Sequence, residues 1–111
     1  MKVALLGKGK TGGKVLELLQ ASEIAYTVFD SSHKPHLKNL QGHDVIISFL
    51  SGEIFKDYLD LLVDSQIPVV SGSTGMSWPI GFDQLLKNKK CKWIYATNFS
   101  LGMNLVQQMI F

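Results

Sequence analysis

The stretch "VALLGKGKTGGKVLELL", positions 3 to 19 of a 111-residue chain, holds the residue types that could grip an anion. Gly7, Gly9 and Gly12 form the pattern G-x-G-x-x-G, and Gly13 also permits G-x-G-x-x-x-G. The chemistry needs glycine at each place for its own reason. The first allows a tight turn, the second lets backbone approach a diphosphate, and the last lets a helix pack close to a sheet. Amide N–H groups at the start of that helix then face the anion. Lys8, Lys10 and Lys14 bring positive charge nearby, and Thr11 brings a hydroxyl. Alone the pattern is a weak signal. Its position between an apolar strand-like run and an apolar helical repeat gives it weight.

A carboxylate follows at a meaningful distance. Asp30 ends the run "YTVFD" (26 to 30), eighteen residues beyond Gly12. There it can accept hydrogen bonds from the hydroxyls of an adenosine ribose. It can equally be a strand-end Asp that organises a turn. A negative charge at that place repels a 2′-phosphate and favours NADH. Ser31, Ser32, His33 and Lys34 come next and offer donors to that same phosphate. Binding of both NADH and NADPH is therefore expected. His33 is a further adenosine-side contact candidate, and His36 and His43 read as surface residues.

Two more short polar stretches complete the set. "SGSTGM" spans 71 to 76 and "ATNFSLG" spans 96 to 102, each directly after a strand-like run. Each could be a simple turn. Three donor-rich loops after three strands of one sheet are harder to explain that way.

The elements that must carry these loops are legible. Strand-like runs occur at 3 to 6, 26 to 30, 44 to 49, 68 to 72 and 93 to 97. They are apolar without strict alternation, as in a parallel sheet covered on both faces. Helical segments are expected at 13 to 21, at 53 to 65 and at 79 to 88, where Pro79 suits the first turn. Asp57, Asp60 and Asp64 fall on the wet side of the second of these. Residues 31 to 42 read as a loop with one short turn near Leu37 to Leu40. A last apolar helix starts near residue 101. Strands alternating with helices predict an α/β fold, a Rossmann-like doubly wound and mostly parallel sheet with helices on both faces. One dinucleotide-binding domain over 1 to 111 is the natural division.

Composition excludes several classes. The chain is 46% hydrophobic and 18% charged, which suits a soluble globular domain. Its longest apolar runs are too short to span a membrane. Only four consecutive apolar residues precede Gly7, too few for a signal peptide, so a cytoplasmic location is the default. Formal net charge is +2 and every basic residue is Lys. Without Arg, bidentate readout of guanine or phosphate is absent, and no nucleic-acid partner is expected. The lysines at 87, 89, 90 and 92 read as a solvated helix end. Cys91 is the single cysteine and reads as a free structural thiol, and no side-chain cluster has metal-ligand spacing.

Together the three loops resemble those of the N-terminal domain of the dihydrodipicolinate reductase (4-hydroxy-tetrahydrodipicolinate reductase) family. That family has a glycine-rich first loop, a G-T-T-G loop and an A-x-N-[FM]-S-x-G stretch. Here they stand as "GKGKTGG", Gly72-Ser73-Thr74-Gly75 and Ala96-Thr97-Asn98-Phe99-Ser100-Leu101-Gly102. The last is the most specific, and the resemblance runs the length of the chain. It implies an NADPH- or NADH-dependent oxidoreductase of lysine and diaminopimelate synthesis, which passes a hydride to a cyclic unsaturated dicarboxylate.

By the same resemblance, Gly7, Gly9, Lys10, Thr11, Gly12 and Gly13 hold the diphosphate and Asp30 the ribose. Phe49, Gly72, Ser73, Thr74, Ala96, Asn98 and Phe99 border the nicotinamide, and Thr74 also reaches a substrate carboxylate. The family's third strand ends D-F-[ST]. Here Ser48-Phe49-Leu50 stands in its place, and only Phe49 matches.

No catalytic residue is assigned in this chain. The family's catalytic His pair, its Lys and its S-G-T substrate loop belong to a C-terminal catalytic and tetramerisation domain absent from these residues. The apolar terminal helix, with Leu105, Val106, Met109 and Ile110, is expected to meet that domain or a second copy. The chain alone is expected to bind cofactor without turnover. A stand-alone nucleotide-binding sensor module, or the nucleotide domain of another amino-acid dehydrogenase, is the alternative reading.

Overall fold

The computed structural model describes residues 1–7, 10–72 and 76–95, together with 104 and 108. Five strands form one parallel sheet: β1 (Lys2–Leu6), β2 (Ala25–Phe29), β3 (Val45–Ser48), β4 (Val69–Ser71) and β5 (Trp93–Tyr95). Their spatial order is β2-β1-β3-β4-β5. The chain thus runs outward from β1 to β2 and returns to the other side of β1 at β3. That reversal is the switch point where a doubly wound sheet places its ligand.

The helices are α1 (Lys10–Ala21), α2 (Leu37–Leu40), α3 (Gly52–Lys56), α4 (Leu59–Ser65) and α5 (Phe82–Asn88). Asn104 and Gln108 are also helical, and Gln108 Nε2 donates to Asn104 Oδ1 at 3.0 Å.

The pleat sorts the strand residues into two cores. Ala4 and Leu6 of β1 join Phe29, Ile46 and Val69 on one face, under Leu40, Phe55, Leu59, Leu62, Val63, Phe82 and Leu86. Val3 and Leu5 join Val45, Ile47 and Val70 on the other, under Val15 and Leu19 of α1. Both faces of β1 and β3 are therefore dry, which explains why their sequences lack alternation. The Asp57, Asp60 and Asp64 side is exposed, as its pattern required.

Three expectations need correction. The segment 53 to 65 is two helices. Asp57 N donates to the Ile54 carbonyl at 3.1 Å and Tyr58 N to that of Phe55 at 2.9 Å, a tightened turn that re-aims the chain before Leu59. Pro79 is not in the first turn of α5. Its carbonyl accepts from Phe82 N at 3.1 Å, and the left-handed Gly81 (φ 78°) starts the helix. His43 is buried: one ring nitrogen meets the Leu40 carbonyl at 2.9 Å, the other Thr27 Oγ1 at 2.9 Å. A carbonyl only accepts, so Nδ1 carries a proton; in the neutral ring Nε2 accepts from the Thr27 hydroxyl.

An aromatic cluster closes the β5 side. Phe55 stands 6.1 Å from Trp78 and 6.1 Å from Trp93 between ring centroids, and Trp78 stands 4.5 Å from Tyr95. Trp93 Nε1 is buried with no hydrogen-bond partner among the described residues.

Candidate nucleotide site at the switch point

The carboxyl ends of the five strands align in register as Phe29, Leu6, Ser48, Ser71 and Tyr95. Gly7, Asp30, Phe49 and Gly72, the described residues that directly follow four of them, therefore share one edge of the sheet. Gly7 leaves β1 with φ +83°, a conformation that L side chains rarely adopt. Its N–H donates to the Phe29 carbonyl at 2.9 Å, so the turn is tied to β2. α1 then begins at Lys10, earlier than the sequence pattern placed it. Lys10, Thr11, Gly12 and Gly13 therefore form its first turn, where amide N–H groups have no intrahelical acceptor. No acidic residue occupies that turn to compete for them.

Asp30 organises the turn that was one of the two roles weighed for it. Its Oδ1 accepts from Ser32 N at 2.8 Å and His33 N at 3.0 Å, while Asp30 N donates to the His33 carbonyl at 3.0 Å. That closed turn fixes the loop after β2. Asp30 also lines a cavity of about 210 Å³ together with Leu6, Gly7, Ser31, Lys34 and Tyr58. The remaining walls are Phe29, Pro35, Leu50 and Ile54. His33 does not line it. Its ring lies on Phe29 at 4.9 Å, and its Nδ1 is 3.3 Å from the Val28 carbonyl.

Phe49 and Gly72 meet beyond β3. A Cβ on Gly72 would stand 2.5 Å from Phe49 Cε1, so the ring lies flush on the glycine backbone. The Gly72 N–H donates to the Ser48 carbonyl at 2.9 Å and holds the two loops together. Gly9, Ser73, Thr74, Ala96, Asn98 and Phe99 lie outside the described residues, as do Leu105, Val106, Met109 and Ile110.

Sequence reasoning overlooked Leu50, Ile54, Tyr58 and Pro35. The signal was present: a switch point between β1 and β3 makes the residues after β3 a wall of the site. A Cβ on Gly7 would stand 2.8 Å from Leu50 Cδ2, so Leu50 covers the glycine turn.

A second, more open hollow of about 410 Å³ lies at the end of β5, between Trp78, Phe82, Asp83, Lys87 and Tyr95. Tyr95 donates its hydroxyl to Asp83 Oδ1 at 2.8 Å. That hydrogen bond raises the Tyr95 pKa above its ordinary value, and burial and the Asp83 charge add to it. Among the described residues there is no cluster of metal-ligating side chains and no helix long and apolar enough to cross a membrane.

A parallel sheet reversing at β1, a left-handed glycine turn after that strand and a helix beginning at Lys10 define a Rossmann-like α/β domain. The sequence model described as dihydrodipicolinate reductase, N-terminus, matches residues 11–99. The chain belongs to that family. It is 31% identical to a 4-hydroxy-tetrahydrodipicolinate reductase of Bdellovibrio bacteriovorus, over 99% of this chain and 49% of the relative. It is also 31% identical to the like-named protein of Christiangramia forsetii, over 95% of this chain and 45% of that one. The chain thus spans about half the length of these curated relatives. The crystal structure of an uncharacterized protein shares the fold alone, with a TM-score of 0.63 at 9% identity over 99% of this chain and 97% of the other.

Proposed function

We propose that this chain is the NAD(P)H-binding domain of a 4-hydroxy-tetrahydrodipicolinate reductase of lysine and diaminopimelate synthesis. The observation that carries the proposal is the family match over residues 11–99, laid on a sheet whose glycine turn, Asp30 and Gly72 share one carboxyl edge. The residues fit a dinucleotide in kind. An apolar slot with Asp30 and Lys34 at its rim suits an adenosine, and the first turn of α1 suits a diphosphate.

When bound, the nicotinamide supplies the hydride, and the protein supplies position and electrostatics. In this reading the amides of the first turn of α1, from Lys10 to Gly13, hold the diphosphate. Asp30 takes the ribose hydroxyls. Phe49, packed on Gly72, gives the nicotinamide side a flat, dry wall, and Ser73, Thr74, Ala96, Asn98 and Phe99 complete it. Thr74 orients the substrate carboxylate. The proton donor and the remaining substrate contacts come from a second domain, so this chain binds cofactor without turnover.

Both NADH and NADPH are accepted, because Asp30 serves the first while Ser31, Ser32 and Lys34 stand ready for a 2′-phosphate. Calorimetric titration of the folded chain with each dinucleotide tests the proposal. Saturable binding of both is expected; no heat with either would end it. Dihydrodipicolinate reduction by the purified 111-residue chain would refute the division of labour.

A further inference from the structure

We infer that Asn39 is a positioning residue for the dinucleotide, clamping the loop that carries Lys34 and Pro35, and that a proton on His36 opens the clamp and weakens cofactor binding. This rests on the nucleotide-binding reading above and adds a means of regulating that site.

The loop from Asp30 to His36 gives the cavity Asp30, Ser31, Lys34 and Pro35 as walls. A side chain ties each end of it. At the start, Asp30 Oδ1 accepts from the backbone of Ser32 and His33. At the end, Asn39 reaches back from α2. Its Oδ1 accepts from His36 N at 2.8 Å, and its Nδ2 donates to the Lys34 carbonyl at 3.0 Å. The adjacent Leu40 is wholly buried in the core and anchors the clamp. Asn39 lines no wall itself, so it acts on the ligand through Lys34 and Pro35.

The third contact of Asn39 adds the proton. Nδ2 stands 3.1 Å from His36 Nε2. The amide cannot be turned round, because the His36 N–H needs Oδ1 as acceptor and the Lys34 carbonyl needs an N–H. Nδ2 therefore donates, and His36 Nε2 accepts with its lone pair. An imidazolium has no such lone pair and would set N–H against N–H. The other two histidines differ. Each aims Nδ1 at a carbonyl, Val28 for His33 and Leu40 for His43, and the His43 Nε2 can equally donate to Thr27 Oγ1. Those contacts tolerate a second proton. The charged groups on the elements around His36 are Asp30 and Lys34 on the loop, Lys38 on α2, and Asp60 and Asp64 on α4, which packs against α2. Between about pH 6 and 8 imidazole ordinarily titrates, and carboxylate and ammonium groups do not.

Calorimetric titration of the full chain with NADH at about pH 8 and pH 6 tests the inference, since NADH lacks the phosphate monoester that would itself titrate there. Affinity should fall about three- to tenfold at the lower pH, as the loop loses its preset shape. His36→Gln keeps an acceptor for Asn39 and cannot titrate, so its two affinities should be equal. Asn39→Asp sets a carboxylate oxygen against Nε2, where it accepts from the imidazolium. That variant should bind NADH about threefold more tightly at the lower pH, the reverse of the parent. An asparagine that only supported the fold would give no reversal. Equal parent affinity at both pH values would overturn the inference and leave the domain's function standing. So would a fall that persists in His36→Gln, or one that Asn39→Asp shares. No NADH binding at either pH would overturn both readings.

Discussion

At the scale of the residue, two glycines on the same edge do different work. Gly7 is needed for its backbone angle, since φ +83° strains any side chain that has a Cβ. Gly72 is needed for space alone, because the Phe49 ring occupies the place of its Cβ. Gly72→Ala should therefore cost about 1–3 kcal/mol through overpacking, and far less in a Phe49→Leu background. Urea unfolding of the four variants of that cycle measures the difference; equal costs in both backgrounds would exclude the ring as the cause.

His43 was unreadable from sequence for a related reason. A histidine between Gly42 and Asp44 sits in turn-like company, and nothing local announces that Thr27, sixteen residues earlier, will pair with its ring. Replacing His43 by Leu leaves the Leu40 carbonyl and Thr27 hydroxyl without that partner, at a cost of about 1–3 kcal/mol in thermal or urea unfolding. Asp30, by contrast, was legible as a turn former, because an Asp at a strand end carries its turn-forming chemistry with it.

At the scale of the element, the strands were legible and the helix ends were not. Val3 to Leu6 and Val45 to Ser48 are dry on both faces, so composition alone marks them. The apolar stripe through Phe55, Leu59 and Leu62 continues unbroken across the junction of α3 and α4, so periodicity could not show the tightened turn at Asp57 and Tyr58. That turn matters, since Tyr58 within it and Ile54 just before it line the cavity. The start of α1 was placed late, at Gly13, because Gly12 before it is a poor helix former, yet both glycines lie in its first turn.

Ser51 caps α3 by accepting from Ile54 N, at a long 3.4 Å on an exposed edge. Ser51→Ala should cost about 0.5 kcal/mol, the low end of the range for caps. A loss above about 2 kcal/mol in denaturant unfolding would mean that Ser51 holds more than the helix end.

At the scale of the whole molecule, the two cores share one sheet, and unfolding should be a single transition. Its alkaline side has one identifiable contributor among the described residues. Tyr95 titrates higher in the folded state than its ordinary 10.0, so the fold favours the neutral phenol. That contribution is intact below pH 10 and fades as pH climbs through the raised value. Tyr95→Phe should lose less stability than the parent between about pH 9 and 11, judged by urea midpoints. An identical slope in both proteins would assign the alkaline loss to other groups. Tyr95 is 40% exposed, so the difference should be small and should shrink in salt.

Both tryptophans rest against Phe55, the neighbour of cavity wall Ile54, and the buried indole nitrogen of Trp93 has no hydrogen-bond partner among the described residues. The domain consequently carries its own lamp. Intrinsic emission should begin toward the blue, and any ligand that nudges α3 should alter it without a label. Occupancy can then be followed by light alone, at dilutions where heat is too faint to record.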